Sequence, residues 1–198
     1  MAVVDDAIRA RLTTLYEAPD RHYHGMAHIG ALLAEAASLG DRIADRDVMD
    51  AAIWFHDAIY DSRAKDNEAK SAQLAREWLA GRISAERLRR VVAMIEATAT
   101  HRPPAFGDAR ADEDAALFLD LDLSILGAEP AAFDAYERAI RAEYAWVEET
   151  AWRAGRAMLL KNFLDREYIY QTAVFREACE SPARANIARS IAALRSGA

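Results

Sequence analysis

The chain has 198 residues, 53% of them apolar and 29% charged, a globular balance that excludes wholesale disorder. Only 8 glycines and 5 prolines are present, too few for the many tight turns of a sandwich or barrel. The net charge of -7 and a pI near 5.3 exclude general nucleic-acid binding or an anionic-membrane surface, while leaving room for a local basic pocket.

Apolar residues recur at helical spacing almost throughout. The first helix carries Val4, Ile8, Leu12 and Leu15 on one face, with Pro19 beyond its end. A second opens near Met26 with Ile29, Leu32, Leu33 and Ala36 and stops near Gly40. A third starts near Asp47, read as its N-cap, and runs through Met49, Ile53, Phe55 and Ile59. A fourth runs from Asn67 through Leu74, Trp78 and Leu79 to Gly81, and Ser84 caps a fifth with Leu88, Val91, Val92 and Ile95.

His101 to Asp108 is the clearest loop, and Asp112, Glu113 and Asp114 suit the N-terminus of the helix after it. Pro130 fits a first helical position and opens a helix with Phe133, Tyr136, Ile140 and Val147. Helix continues through Met158, Leu159 and Phe163, and Ser181-Pro182 reads as N-cap and first residue of a last helix. The expectation is an all-α bundle of about eight to ten helices. It forms a single domain over residues 1–198, with a core at about 20–130 and C-terminal helices at about 130–195 packing on it.

One stretch, Leu119-Asp120-Leu121-Asp122-Leu123-Ser124-Ile125, alternates apolar and polar like a strand. An isolated strand cannot satisfy its backbone, so the stretch is read as helix carrying a carboxylate into an apolar setting. Such a carboxylate costs several kcal/mol unless paired or metal-bound, roughly 2–7 for a polar group and more for a charge.

Cys179 is the only cysteine, so there is no intrachain disulfide and no Cys-rich zinc site. No apolar run approaches the ~18 residues of a membrane span, and Met1 to Asp6 lacks a basic start and apolar core. The expected location is the cytoplasm.

All five histidines lie in the first half: His22, His24, His28, His56 and His101. Gly25 stands where a HExxH metalloprotease would need Glu after His24, and it suggests a helix that starts after His24 and includes His28. His56 falls on the buried face of the third helix, read as lying near its centre, and Asp57 follows directly. Taken singly, each is more often a hydrogen-bonded core histidine or an ion-paired carboxylate. Taken together, His28, His56, Asp57 and Asp122 offer two imidazoles and two carboxylates. Their charge of about -2 matches one divalent ion of the Mn, Fe, Zn, Ni or Mg kind.

The order His28, then His56-Asp57, then Asp122 resembles the HD-domain metal-dependent phosphohydrolases. The phrases Tyr23-His24-Gly25-Met26-Ala27-His28-Ile29, Trp54-Phe55-His56-Asp57-Ala58-Ile59-Tyr60, Phe118-Leu119-Asp120-Leu121-Asp122-Leu123 and Ser124-Ile125-Leu126-Gly127 are similar to one bacterial subgroup, described as predicted phosphohydrolases of that superfamily. Arg141-Ala142-Glu143-Tyr144 and Ala183-Arg184-Ala185-Asn186 fit the same pattern, so the resemblance covers roughly residues 5–195.

The resemblance implies a hydrolase that uses one divalent metal, held by His28, His56, Asp57 and Asp122, on a nucleotide or other small phosphorylated metabolite. Members that cleave guanosine tetraphosphate carry Glu-Asp where this chain has Tyr60-Asp61, which argues against that substrate. Asp61 or Glu68 is then the carboxylate that aligns the attacking water. Tyr23 and His24 are candidates for substrate contact, and His101 for a second metal or a phosphate. Lys70, Arg102, Arg141 and Arg156 are candidates for a cationic phosphate clamp. Two other readings stay open: a non-catalytic sensor of metal or nucleotide on the same fold, and a two-iron oxygenase that recruits His101.

Overall fold

The computed structural model describes residues 3–196; Met1 and Ala2, at the head of the N-terminal stretch read above, lie outside the described residues, as do Gly197 and Ala198. Among the described residues there are nine α-helices, two short 3-10 turns and no strand. None of the helices is long and apolar enough to cross a membrane. The chain divides into two compact units, Met1–Asp122 and Leu123–Ala198, and the division falls directly after the fourth candidate ligand.

The first unit holds α1 (Asp6–Tyr16), α2 (Met26–Leu39), α3 (Arg46–Phe55), α4 (Asn67–Leu79), α5 (Ala85–Ala97) and α6 (Ala109–Asp122). Side chains close most of the helix starts on their orphan amides. Asp5 accepts from Ile8 N–H, Ser84 from Arg87 N–H, and Asp108 from Arg110 and Ala111 N–H. The cap of α3 is Asp45 rather than Asp47: Asp45 accepts from Val48 N–H, while Asp47 sits in the first turn and pairs with Arg87. Tyr16 rather than Leu15 completes the buried stripe of Ile8 and Leu12.

α3 is buried on nearly every side, from Val48 to Phe55, as befits a helix surrounded by others. It packs against α1, α2, α4, α5 and α6. Leu12, Ile29, Met49, Ile53, Phe55, Leu79, Ile95 and Phe118 form the surrounding core. Each such side chain contributes about 1.5–3 kcal/mol by leaving water. Asp114, read from the sequence only as an acidic helix start, is buried and accepts from Ala44 N–H and Asp45 N–H at 2.8 Å each. It ties the entry of α3 to α6.

His56 does not lie at a helix centre. α3 stops at Phe55, His56 is its C-cap, and Asp57 belongs to the turn that follows. This matters for the site, because the end of the central helix delivers both side chains to one place. The alternating segment is helical, as expected, through Asp122, and a 3-10 turn follows at Ser124–Gly127.

The second unit holds that 3-10 turn and α7 (Pro130–Glu143), α8 (Glu149–Leu164) and α9 (Ala173–Ser196). Pro130 opens α7 as expected, but Val147 lies beyond its end. Ser181-Pro182 is not a helix start. α9 runs through Pro182 without a break. A proline inside a helix costs about 3 kcal/mol. Buried residues on both sides of it, Phe175 before and Ala183, Ile187 and Ile191 after, hold the two halves in one helix. The Glu180–Arg184 pair straddles the proline at 2.7 Å. Gly127 lies so close to α9 that a Cβ there would meet Cys179 Cβ at 2.7 Å.

Candidate metal centre

Three helix ends of the first unit meet at the candidate site. α2 begins at Met26 behind Gly25, whose extended backbone has no side-chain cap. A Cβ on Gly25 would approach Tyr16 O to 3.2 Å, so a side chain there would crowd the end of α1. This tight entry places His28 in the first turn of α2, 6% exposed. His56 at the end of α3 is 1% exposed. Asp122 is the last residue of α6.

The ligating atoms converge. His28 Nε2 lies 3.2 Å from His56 Nε2 and 3.3 Å from Asp122 Oδ1. His56 Nε2 lies 3.0 Å from Asp57 Oδ2 and 3.5 Å from Asp122 Oδ1, and His28 Nε2 is 3.9 Å from Asp57 Oδ2. Ligands held about 2.1 Å from one ion lie about 3.0 Å apart when adjacent and about 4.2 Å apart when opposite. The observed separations fall in that window. Among the described residues, His28, His56 and Asp122 each offer one ligand atom within 4.8 Å of the others; Asp57 is not in that group and meets the centre through His56 and His28.

The protonation pattern also suits a cation. His56 Nδ1 lies 2.9 Å from Ile53 O. That carbonyl requires a proton on Nδ1, so in the neutral ring the lone pair sits on Nε2 and faces the centre. Two Nε2 atoms 3.2 Å apart cannot both present lone pairs without a proton or a cation between them.

Without a metal the proton supplies that charge. Burial works against a charged His56, yet the Asp57 charge and hydrogen bonds to Asp122 and Asp57 raise it well above the usual imidazole range. Burial alone would raise the Asp57 carboxyl, but the His56 and His24 charges hold it well below the carboxylate range. Asp122 is held down in the same way, against burial, by hydrogen bonds from His101, His28 and His56. The donor set, two imidazoles beside two carboxylates, is of a kind that fits a divalent ion, which would compete with protons for the same nitrogens.

His101 Nε2 lies 3.1 Å from Asp122 Oδ2, the oxygen turned away from the other two imidazoles. His101 is not part of α5, which ends at Ala97. It follows a turn and is the one non-glycine residue with positive φ (50°) among the described residues. Such a conformation is uncommon for histidine and marks a residue that its surroundings hold in place. Tyr23 and His24 also reach the centre. The Tyr23 ring is 4.8 Å from the His28 ring, and His24 stacks on Tyr60 at 4.2 Å.

The remaining candidates are not drawn into the centre. Asp61 is exposed, its carboxylate accepts from Arg63 N–H at 2.8 Å, and its backbone is tied to the Asn67 side chain. Glu68 stands in the first turn of α4. Among the described residues, neither shows an ionic or hydrogen-bonding contact with the four candidate ligands. Lys70 pairs with Asp66, and Arg102 is exposed in the loop after His101. In the second unit Arg141 bonds Glu149 and the carbonyls of Tyr144 and Val147. Arg156 is buried there against Glu137 and Tyr136. The phosphate-clamp expectation for these four cations thus gains no support from the geometry.

Sequence reasoning missed Arg21, whose guanidinium bonds the backbone of the site. Its neighbours His22, Tyr23 and His24 drew attention, but peptide carbonyls, its partners, leave no mark in a sequence. Comparison with family models, with curated proteins and with solved structures finds no match to this chain.

Proposed function

We propose that this chain is a metal-dependent phosphohydrolase of the HD-domain type that acts on a nucleotide or another small phosphorylated metabolite. The observation that carries the reading is the convergence of His28, His56 and Asp122, with Asp57 beside His56, at separations suited to one ion. A divalent metal bound there supplies an activated water and a Lewis-acid contact to a phosphoryl oxygen. His56, held through Nδ1 by Ile53 O, presents its other nitrogen to the centre. His101 keeps Asp122 turned so that Oδ1 faces the two imidazoles. Tyr23 and His24 flank the site and are the residues proposed to meet the substrate.

The testing experiment is a screen of phosphorylated metabolites with Mn, Fe, Zn, Ni and Mg in turn. Wild type should release phosphate from at least one compound, and His56→Ala and Asp122→Asn should not. The position of Asp61 favours a second reading, a metal or nucleotide sensor without turnover, because its carboxylate closes a local turn. Tight metal and nucleotide binding with no phosphate release from any compound would select that reading.

A further inference from the structure

We propose that Arg21 is a positioning residue of the metal centre, clamping together the two chain segments that carry its ligands; the proposal rests on the metal reading above. Arg21 Nη1 donates to His24 O at 2.9 Å and to Asp57 O at 2.6 Å, and Nη2 donates to Ala58 O at 2.8 Å. One planar group thereby joins the segment that opens α2 to the turn that leaves α3. His28 follows His24 by one helical turn, and Asp57 is itself a ligand, next to His56.

The clamp is held from behind. Arg21 N–H donates to Ala18 O, and the guanidinium lies 5.0 Å from the Tyr16 ring and 5.6 Å from the Tyr60 ring. Tyr16 Oη donates to Trp54 O at 3.0 Å, which anchors that ring to the end of α3, and Tyr60 stacks on His24. Carbonyls at and beyond a helix C-terminus lack intrahelical donors and carry its partial negative charge, so a cation is favoured there. Removing the guanidinium leaves three carbonyls without this donor and frees the Asp57 turn from α2. Lysine keeps the charge, but its ammonium is a single point on a flexible stem, not a fork that spans two segments.

The test measures Mn2+ affinity of the full chain, by electron paramagnetic resonance of unbound Mn2+, for wild type, His56→Ala, Arg21→Lys, Arg21→Ala and Leu79→Ala. Leu79 is a fully buried core residue of α4 and serves as a control for general destabilisation. Circular dichroism sets a temperature at which each variant is folded, and the series is repeated with Co2+. Both Arg21 variants should bind about 10–100-fold more weakly, the usual scale for a lost supporting contact around metal ligands. Leu79→Ala should bind as wild type does. If wild type binds neither ion, or His56→Ala binds like wild type, the metal reading fails and the clamp with it. If His56→Ala loses the metal while Arg21→Lys stays within about twofold of wild type, the clamp alone is overturned. An Arg21→Lys chain that folds neither with nor without Mn2+ also overturns it, because Arg21 would then support the fold at large.

Discussion

Asp57 and Asp122 of the first unit are met differently from Asp114 of that same unit and from the Arg156 and Glu180 charges of the second. In the second, Arg156 and Glu180 each meet an opposite charge and further hydrogen-bond partners. Arg156 is closed by Glu137 and Tyr136, and Glu137 also accepts from Ser190 Oγ–H. Glu180 accepts from the amides of Ile169 and Tyr170 and pairs with Arg184. In the first, Asp57 and Asp122 have only histidines as ionic partners among the described residues, and the imidazoles turn lone-pair positions toward one another. A closed pair holds a fold together and has nothing left to bind. A centre whose charges are balanced only by a removable proton has a ligand-shaped deficit. That contrast, rather than the presence of histidines, is what supports the proposed metal centre.

The sharpest way to break the contrast is His56→Ala. It should leave the chain with less than about a tenth of the wild-type metal content by elemental analysis, since an inner ligand is lost. Full metal content would mean that the first unit's cluster is as structural as the second's.

Next in size is Arg156→Ala, which strands Glu137 in a part-buried position. Breaking such a pair costs about 3–5 kcal/mol, measurable by denaturant unfolding, while the folded variant should bind Mn2+ as wild type does. A loss of metal affinity in folded Arg156→Ala would erase the distinction.

Asp122→Asn tests the centre from the other side. If Asp57 and Asp122 faced each other with no positive charge between them, they would repel, and Asn at 122 would be harmless in the metal-free protein. The structure indicates otherwise, because three histidines bond Asp122 and hold its carboxyl well below the usual range. A depressed carboxyl contributes stability above its unfolded value near pH 4 and loses it as the pH falls through the folded value. Metal-free Asp122→Asn should therefore be about 1–3 kcal/mol less stable than wild type at neutral pH. Equal thermal stability in chelator would restore the repulsion picture.

The smallest effect is a pH trend of at most about 1.4 kcal/mol per pH unit for one proton. His56 is raised in the folded state, so its contribution is complete below about pH 6.5 and fades as the pH rises through the folded value. Metal competes with that same proton, so Mn2+ affinity should climb as the metal-free protein weakens. Melting curves at pH 6 and 8, with chelator and with Mn2+, should diverge; parallel curves would remove His56 from the centre.

Much of the fold was legible because the helices are amphipathic and many begin at side chains suited to capping. Ser84 and Pro130 mark the starts of α5 and α7 as the sequence suggests. Four candidate ligands could be singled out for a different reason: His28 and Asp122 put polar groups on helices that are otherwise apolar around them, and the His56-Asp57 pair stands at the end of the most buried helix. The misreadings share a cause. Asp45 displaced Asp47 as a cap, and α9 ran through Pro182, where contacts distant in sequence outweighed a local preference. The interior carboxylate of Asp120, wholly buried, shows that a broken pattern flags a position without saying which of two neighbours reaches the site. Arg21 was invisible because its bonds go to backbone, 36 and 37 positions away.

The close approach of Gly127 to Cys179 puts a reporter group beside the 3-10 turn of the second unit. With a single cysteine in the chain, any thiol reagent reports one position only. The 3-10 turn lies against the backbone and Cβ of that residue, and Asn186 fastens the same turn by donating to Leu126 O and Ala128 O at 3.0 and 2.8 Å. Cys179 is itself part-exposed, so a change in its labelling rate when the turn is loosened measures how far the turn shields the thiol. Asn186→Ala should quicken that labelling well before it shifts the melting curve.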